Sequence, residues 1–286
     1  DKYDRVWVAE MGAGKNDGKV SVISRGTKYD AIISFESIVI PNGEVEGPTH
    51  LLFHEGILFI LGAHGKLYKA DVSHFKAGDA PLFASNLAVE DIGSFVLAYP
   101  FAAPTGETHP YNLTAAPDGS IYITDAAANA VLKRSKTGTL SVVAQLPSIP
   151  NPLPFGPPMI HAVPTGILYE KGNLFVTILT GFPFPPGKAV IYKVKPNGHF
   201  AVAQQGFTTL VDIAKGNQHG NIVVQHGEFG PTGFTPGTGK LIWVDGANAT
   251  DLASGLNLPA GITQAGPHTW YITSLSDGTV SKVTYQ

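Results

Sequence analysis

The feature that most constrains this chain is a repeat of short β-type runs with a period of about 50 residues. Second strands of the repeat begin near Val6, Leu58, Ile121, Leu174, Ile222 and Tyr271, so that successive runs are 52, 63, 53, 48 and 49 residues apart. Gly, Asn, Asp and Pro separate the runs, as expected of tight turns between strands. A period of this length with four short strands in each repeat is typical of propeller blades.

The clearest repeat runs from Pro110 to Leu146 and reads as four strands in succession. Its segments are PYNLTAAPDG, SIYITDAAANA, VLKRSKTG and TLSVVAQL. The Pro-Asp-Gly sequence at residues 117–119 suits a tight turn between the first two strands. Each small sheet has two apolar faces, which stacking around a ring buries against neighbouring sheets. We therefore predict an all-β fold, a six-bladed β-propeller, as a single domain over residues 1–286.

The two ends of the chain depart from the four-strand pattern. The first repeat begins directly at its second strand, RVWVAE at residues 5–10, and the last ends at its third strand, TVSKVTYQ at residues 279–286. A missing first strand would leave the inner ring open. We expect either that residues upstream complete the first blade or that the two ends pair with each other.

A proline-rich segment interrupts the repeat at residues 147–164, PSIPNPLPFGPPMIHAVP. Proline donates no backbone hydrogen bond, so this segment cannot form a central strand. We interpret it as a long connection over one face of the ring. It is either a functional loop or a rigid spacer.

The composition excludes several classes of partner. The net charge is −3 and charged residues make up 14% of the chain, so there is no basic stripe for nucleic acid and no charge cluster for an anionic membrane surface. No apolar run approaches the roughly 18 residues that a membrane span requires. The chain has no cysteine, which rules out disulfides and thiolate metal sites. We expect a monomer whose partner is a small-molecule ligand.

The first strand of each blade lines the central channel of a propeller. We aligned GPTHLL, HPYNLT, VPTGIL, TLVDIA and LPAGIT on their apolar cores. The aligned column contains His50, Asn112, Gly166, Asp212 and Gly261. Three of these residues are polar and two have no side chain, which leaves room for a ligand or an ion.

The ends of the second strands form another column on the same face. This column contains Glu10, Asp125 and His226, with Glu228 close behind the histidine; the last blade contributes Thr273 and Ser274. Because these strand ends lie beside the starts of the first strands, polar side chains from distant parts of the chain would meet. We predict that Glu10, His50, Asn112, Asp125, Asp212 and His226 converge at the ring centre.

Oxygen ligands in such an arrangement suit a hard cation. We predict Glu10, Asn112 and Asp212 as ligands of a divalent cation, with Ca²⁺ or Mg²⁺ favoured over Zn²⁺. The predicted catalytic residues are His50, His226 and Asp125, with either histidine as the general base. The cation would polarise a carbonyl group or acidify a water molecule.

Two functions follow from these residues. The first is a metal-assisted hydrolase or lyase that acts on a small neutral organic molecule, since the low charge suits an uncharged substrate. The alternative is a ligand-binding or scaffold propeller whose polar channel is filled with water and performs no chemistry. The sequence has no GxSxG elbow, no Walker A loop and no HExxH motif that would indicate another class of enzyme.

The middle of the chain, residues 109–214, resembles the ScyD/ScyE-type propellers, which are named for scytonemin biosynthesis clusters. The resemblance rests on HPYNLTAAPDG with TDAAANAVLKR, on VPTGI, on LTGFPFPPGKAVIYKV and on GFTTLVDIA. It implies a secreted or periplasmic propeller and does not supply a reaction. Asp212 matches the Asp of the family in that strand, whereas Asn112 and the QHGE sequence at residues 225–228 depart from the family pattern.

The chain is more distantly similar to six-bladed calcium-dependent lactonases of the senescence-marker and paraoxonase type. Those enzymes also place Asn and Asp at channel positions of first strands, as Asn112 and Asp212 are placed here. The likeness is one of fold and site without a shared motif.

Overall fold

The chain folds into short strands joined by tight turns. A computed structural model describes residues 1, 3–41, 43–217 and 219–285. The chain divides into two compact units, Asp1–Ala115 and Ala116–Gln286. Across the described residues there are six sheets of three or four strands. The fold class is the six-bladed β-propeller that the sequence predicts.

The first unit contains two four-stranded sheets and the opening strand of a third. Its strands are β1 (Val6–Glu10), β2 (Gly18–Ser24), β3 (Thr27–Phe35), β4 (Ile38–Val39), β5 (Val45–Glu46), β6 (Leu51–His54), β7 (Ile57–Gly62), β8 (Lys66–Asp71), β9 (Leu82–Phe83), β10 (Ala88–Asp91) and β11 (Pro110–Ala115). The strand orders are β1-β2-β3-β9 and β10-β8-β7-β6, and β4 and β5 form a separate two-stranded ribbon. The first sheet reaches four strands because β9 joins β3 in parallel.

An insertion explains the longest spacing in the repeat, the 63 residues between Leu58 and Ile121. Helix α1 (Ile92–Ala98) lies in this interval, together with a 3-10 turn over Ala84–Asn86. Asp91 caps the helix, because its side chain accepts a hydrogen bond from the Ser94 amide at 2.8 Å. Among the described residues, no helix is both long and apolar enough to cross a lipid bilayer.

The second unit contains the remaining sheets. Its strands are β12 (Ile121–Asp125), β13 (Ala130–Arg134), β14 (Leu140–Gln145), β15 (Ile149–Pro150), β16 (Met159–Ile160), β17 (Pro164–Glu170), β18 (Asn173–Ile178), β19 (Ala189–Val194), β20 (Phe200–Phe207), β21 (Leu210–Lys215), β22 (Asn221–Gln225), β23 (Glu228–Gly230), β24 (Gly233–Thr235), β25 (Gly239–Asp245), β26 (Asn248–Leu256), β27 (Pro259–Gly266), β28 (Thr269–Ser274) and β29 (Thr279–Thr284). The strand orders are β11-β12-β13-β14, β17-β18-β19-β20, β21-β22-β25-β26 and β27-β28-β29, with β15-β16 and β23-β24 as ribbons.

These bounds confirm the repeat that the sequence predicts. The second strands of the six sheets begin at or within two residues of the six predicted starts. The repeat from Pro110 to Leu146 forms four strands in succession. The last sheet has three described strands and ends at β29, as expected.

The proline-rich segment forms an ordered loop rather than a central strand, as predicted. Ile149 pairs with Ile160 in the β15-β16 ribbon. Between them, the side-chain amide of Asn151 donates to the carbonyl oxygens of Phe155 at 2.8 Å and Pro157 at 2.9 Å. These bonds satisfy backbone acceptors in a segment whose prolines cannot donate.

Apolar side chains of successive sheets pack together within each unit. In the second unit, Ile167, Val176 and Ile213 are at most 4% exposed and belong to one cluster. In the first unit, Val20, Ile32 and Leu58 are fully buried in another. Burying one such branched side chain contributes about 1.5–3 kcal/mol, so the facing sheets rather than the short strands themselves hold each unit together.

Candidate functional site

Three first strands of the second unit come together at Asp212. A Cβ atom added to Gly166 on β17 would lie 2.6 Å from the Asp212 Cα. One added to Gly261 on β27 would lie 3.7 Å from the Asp212 Oδ2. The alignment that placed these three residues in one column is therefore confirmed for this unit. Gly166 permits the close approach of β17 to β21, whereas a side chain at Gly261 would only touch Asp212.

The Asp212 carboxylate is buried and bonded to the backbone on both sides. Its Oδ1 accepts a hydrogen bond from the Ile213 amide and its Oδ2 one from the Ile262 amide, each at 2.8 Å. The side chain is only 5% exposed. Two N–H donors compensate much of the cost of burying a charge, so Asp212 fastens β21 to β27.

We expect Asp212→Asn to lower the free energy of unfolding by about 1–3 kcal/mol. The amide group of asparagine has only one acceptor oxygen, so either Ile213 or Ile262 loses its partner. Urea unfolding of both proteins measures the loss. Asp251→Asn is the control, because Asp251 is about half exposed in its ion pair with Lys240 and such pairs are worth about 0–1 kcal/mol. Equal stability of wild type and Asp212→Asn contradicts the role given to Asp212.

Each of these first strands is irregular near its start. The strand register shifts between Pro164 and Ile167, between Leu210 and Asp212, and between Pro259 and Gly261. Such bulges bend a strand and redirect a side chain, and they occur often beside functional sites. The three bulges lie at equivalent positions near the start of each strand, so this end of the strands is a candidate for a functional site.

His226 follows β22 at the same end of its sheet and is 9% exposed. Its backbone amide donates to the Thr209 carbonyl at 2.9 Å. Its ring nitrogen Nδ1 lies 3.0 Å from the Pro259 carbonyl oxygen. A carbonyl oxygen can only accept, so Nδ1 carries the proton and a neutral His226 keeps its lone pair on Nε2.

Burial lowers the pKa of His226, and the hydrogen bond to the Pro259 carbonyl opposes this shift only in part. The imidazole is therefore neutral at pH 7. A neutral ring with one nitrogen held by a carbonyl group is oriented to accept a proton at the other nitrogen.

His226 and Asp212 are both anchored to β27. The contacts are to the Pro259 carbonyl and the Ile262 amide, respectively. These two positions are three residues apart, a span of about 10 Å in an extended strand. The predicted base and the predicted carboxylate thus belong to one part of the second unit.

Asp125 is fully buried at the end of β12. Its Oδ1 accepts a hydrogen bond from the Ala128 amide at 2.9 Å and stabilises the turn into β13. This contact is a structural one. That Asp125 takes part in proton transfer stays a prediction.

A set of threonine contacts between strands of successive sheets was not predicted. The Thr124 hydroxyl donates to the Thr165 carbonyl. The Thr165 hydroxyl lies 2.8 Å from the Leu210 carbonyl oxygen. These contacts connect β12, β17 and β21 in succession. Threonine is common in strands, so the sequence contains no signal that separates these residues from others.

Phenylalanine rings next to His226 were also not predicted. The Phe234 ring centroid lies 4.9 Å from that of His226, edge to face. Phe234 faces Phe229 across the β23-β24 ribbon. One signal is the run of Phe and Pro at residues 179–187, but its contact with the ribbon depends on tertiary structure.

Glu10, a predicted metal ligand, lies in the first unit at the end of β1. Its carboxylate accepts hydrogen bonds from the Ser21 hydroxyl and from Lys28 Nζ, the latter at 2.9 Å. The ammonium group of Lys28 therefore already neutralises this carboxylate. A cation at Glu10 would have to displace the lysine.

His50 precedes β6 in the first unit. Its Nδ1 is buried and has no hydrogen-bond partner among the described residues, and its ring packs 4.6 Å from that of Tyr111. Burial lowers the pKa of His50 from 6.5 to about 4, outweighing the opposing hydrogen bond to the Tyr111 backbone. His50 is neutral at pH 7, which is the form that a general base requires.

Asn112 lies on β11 and repeats the local geometry of Asp212. Its Oδ1 accepts a hydrogen bond from the following amide, that of Leu113, at 2.7 Å. Asp212 makes the same contact with Ile213. The matching geometry supports the alignment of the two strands.

A small pocket of the first unit contains polar residues that the sequence did not single out. Glu46 lies 3.6 Å from His109 Nδ1, and this neighbour lowers the pKa of Glu46. The pocket is also lined by Thr49 and His64.

Among residues 1, 3–41, 43–217 and 219–285, no group of three or more His, Cys, Asp or Glu side chains is arranged to hold a metal ion. The predicted ligands Glu10, Asn112 and Asp212 are two carboxylates and an amide. Their convergence stays a prediction.

Solved structures similar to this one share its fold. No family model and no curated protein matches the chain. A nidogen/laminin complex is 12% identical with a TM-score of 0.61, covering 98% of this chain and 89% of that chain. A putative gluconolactonase is 14% identical with a TM-score of 0.54, covering 99% and 85%. A virginiamycin B lyase from Staphylococcus aureus is 16% identical with a TM-score of 0.48, covering 83% and 70%.

The two structures with TM-scores above 0.5 are alike to this chain in fold alone. The resemblance to ScyD/ScyE-type propellers has no matching family model and stays a resemblance of sequence motifs.

Proposed function

We propose that this protein is a hydrolase or lyase that acts on a small neutral organic molecule, with His226 as the proton acceptor. The observation that carries the proposal is the contact of His226 Nδ1 with the Pro259 carbonyl at 3.0 Å. This contact selects the tautomer that leaves Nε2 unprotonated, and burial keeps the ring neutral.

The surroundings of His226 favour an uncharged substrate. Its ring packs against Phe234, and the segment of residues 226–235 contains a single carboxylate, that of Glu228. An anionic substrate would be desolvated here without a compensating positive charge. A neutral molecule with apolar groups incurs no such cost.

In a hydrolase, His226 Nε2 takes a proton from water as the water oxygen attacks a carbonyl carbon. The imidazolium then returns this proton to the departing alkoxide, so that no net proton is consumed. In a lyase, Nε2 takes a proton from a carbon next to a carbonyl group. The electron pair of that C–H bond forms the new double bond as the leaving group departs.

A divalent cation at Asp212 remains part of the prediction. Each Asp212 oxygen accepts one amide hydrogen bond, and carboxylate oxygens are ligands that suit a hard cation. Glu10 fits less well, because it is paired with Lys28. A bound cation would supply a Lewis acid for the carbonyl group; the steps assigned to His226 do not depend on it.

A non-catalytic ligand-binding propeller is the second candidate. It is favoured by the contacts of Asp125 and Asp212, since both carboxylates accept backbone amides and thereby stabilise turns and strand contacts. In that case His226 would be a buried structural residue.

The test is turnover of neutral aryl esters, lactones and substrates that eliminate next to a carbonyl group. We expect the purified chain to turn over at least one of these classes. In parallel, diethyl pyrocarbonate is expected to modify His226 at pH 7, located by mass spectrometry, because the reagent attacks an unprotonated ring nitrogen. Failure of the whole panel together with an unmodified His226 contradicts the proposal.

A further inference from the structure

Five phenylalanines form a patch that lies partly open to solvent. The phenylalanine cluster consists of Phe155, Phe182, Phe184, Phe229 and Phe234. None of them is buried, and Phe155 and Phe182 are 55% and 52% exposed. Exposed apolar patches of this kind mark binding sites more often than they arise by chance.

Ring contacts connect the exposed end of the cluster to His226. Phe155 lies 6.4 Å from Phe182, and Phe182 lies 6.0 Å from Phe229 at an angle of 88°. Phe229 lies 5.2 Å from Phe234, whose ring is 4.9 Å from His226. The cluster is therefore continuous with the proposed base.

Hydrogen bonds to the backbone hold the segments that carry these rings. Phe184 donates its backbone amide to the Gly181 carbonyl at 2.8 Å. The Glu228 amide donates to the Thr238 hydroxyl at 2.8 Å beside the β23-β24 ribbon, and Asn151 bonds the backbone around Phe155. Because the backbone is held in this way, little conformational entropy is lost when a ligand binds.

The cluster is nearly free of charge. Residues 151–160, 179–187 and 226–235 contain Glu228 as their only Asp, Glu, Lys or Arg. Edge-to-face packing of the rings leaves faces and edges that suit another aromatic ring, since the positive edge of one ring attracts the negative face of the next.

We propose that the phenylalanine cluster binds a neutral aromatic ring of the substrate and thereby places the bond to be cleaved at His226. This inference rests on the proposed function and names the substrate class for the same site. The occupant is a small aromatic molecule, because the ring contacts lead from Phe182 inward to a buried histidine. A lipid surface or a protein partner would use the exposed Phe155 and Phe182 alone.

The test compares the neutral fluorophore 2-naphthol with its saturated analogue decahydro-2-naphthol as a competitor. We expect wild type to bind 2-naphthol about 2- to 10-fold more tightly than decahydro-2-naphthol, which is the range for one or two aromatic contacts. Phe182→Leu keeps an apolar side chain but loses the ring, so the ratio of the affinities for 2-naphthol and decahydro-2-naphthol should fall toward one. Phe200→Leu is the matched control, because Phe200 is 39% exposed and packs against Tyr192 outside the cluster.

Three outcomes overturn the inference. They are equal binding of the two alcohols by wild type, an unchanged preference in Phe182→Leu, and flotation of wild type but not Phe182→Leu with neutral phosphatidylcholine vesicles. His226→Asn separates this inference from the proposed function. Turnover that persists in His226→Asn refutes the proton acceptor and leaves the aromatic site standing, provided that the 2-naphthol preference still depends on Phe182. Loss of turnover in His226→Asn without any preference for 2-naphthol refutes the aromatic site alone.

Discussion

Replacing His226 with asparagine is expected to lower kcat/KM by about 10²- to 10⁴-fold, the usual contribution of a general base. The asparagine amide nitrogen lies close to the position of Nδ1 and keeps a donor for the Pro259 carbonyl, which accepts from His226 at 3.0 Å. The substitution therefore removes the proton acceptor Nε2 while the local backbone contact is preserved. Steady-state kinetics on the substrate found in the panel measure the loss.

The pH dependence of the wild-type rate gives an independent measure of the same role. Burial lowers the pKa of His226 below its usual 6.5, so the active neutral form already predominates at neutral pH. The rate should rise with pH through the lowered pKa and then level off by pH 7. A rate that falls between pH 5 and 7 contradicts the assignment.

The control for both measurements is His199→Asn. His199 lies in an exposed turn before β20, where loss of an imidazole should leave kcat/KM within about twofold of wild type, as expected of a surface substitution. A loss in His199→Asn as large as that in His226→Asn would show a general effect of histidine removal.

Acidification is expected to destabilise the protein through His50 by on the order of 3 kcal/mol between pH 7 and pH 4. The pKa of His50 is lowered from 6.5 to about 4 in the folded chain. Above pH 6.5 the ring is neutral in both states and has no effect on stability. Between pH 6.5 and 4 the unfolded chain binds a proton that the folded chain excludes, so the free energy of unfolding falls with pH.

His226 acts in the same direction, since burial lowers its pKa as well. Urea unfolding at intervals between pH 4 and 7 measures the total effect. His50→Gln removes the titrating group and should reduce the slope of stability against pH by the amount assigned to His50. The matched control for loss of an imidazole is His199→Gln, because His199 is exposed. An identical slope in His50→Gln and wild type would show that His50 ionises freely in the folded chain.

The architecture was predictable from the sequence because its signals are local. Turn residues such as Pro117, Asp118 and Gly119 mark where strands end, and alternating apolar residues mark the strands between them. Repetition at about 50 residues then indicates blades. The same reasoning aligned Gly166, Asp212 and Gly261 correctly, since equivalent strands in a repeat place equivalent residues at one depth.

The insertion around α1 was not foreseen, because it interrupts the repeat, and the described residues of the other blades contain no α-helix. Its helix and the parallel pairing of β9 with β3 arise from segments too short to show a period. A pattern of two to seven residues does not distinguish a strand, a helix and a turn.

The sequence by itself determined which residue types stand at the ends of the strands, including Asp212 and His226, whereas tertiary structure decided what they do. Asp212 is bonded to Ile262, 50 residues further along the chain, and His226 is oriented by Pro259, 33 residues away. The phenylalanine cluster likewise brings three separate segments together. Such contacts depend on how neighbouring sheets pack and on where bulges redirect side chains, and this packing involves groups that no local pattern relates to one another.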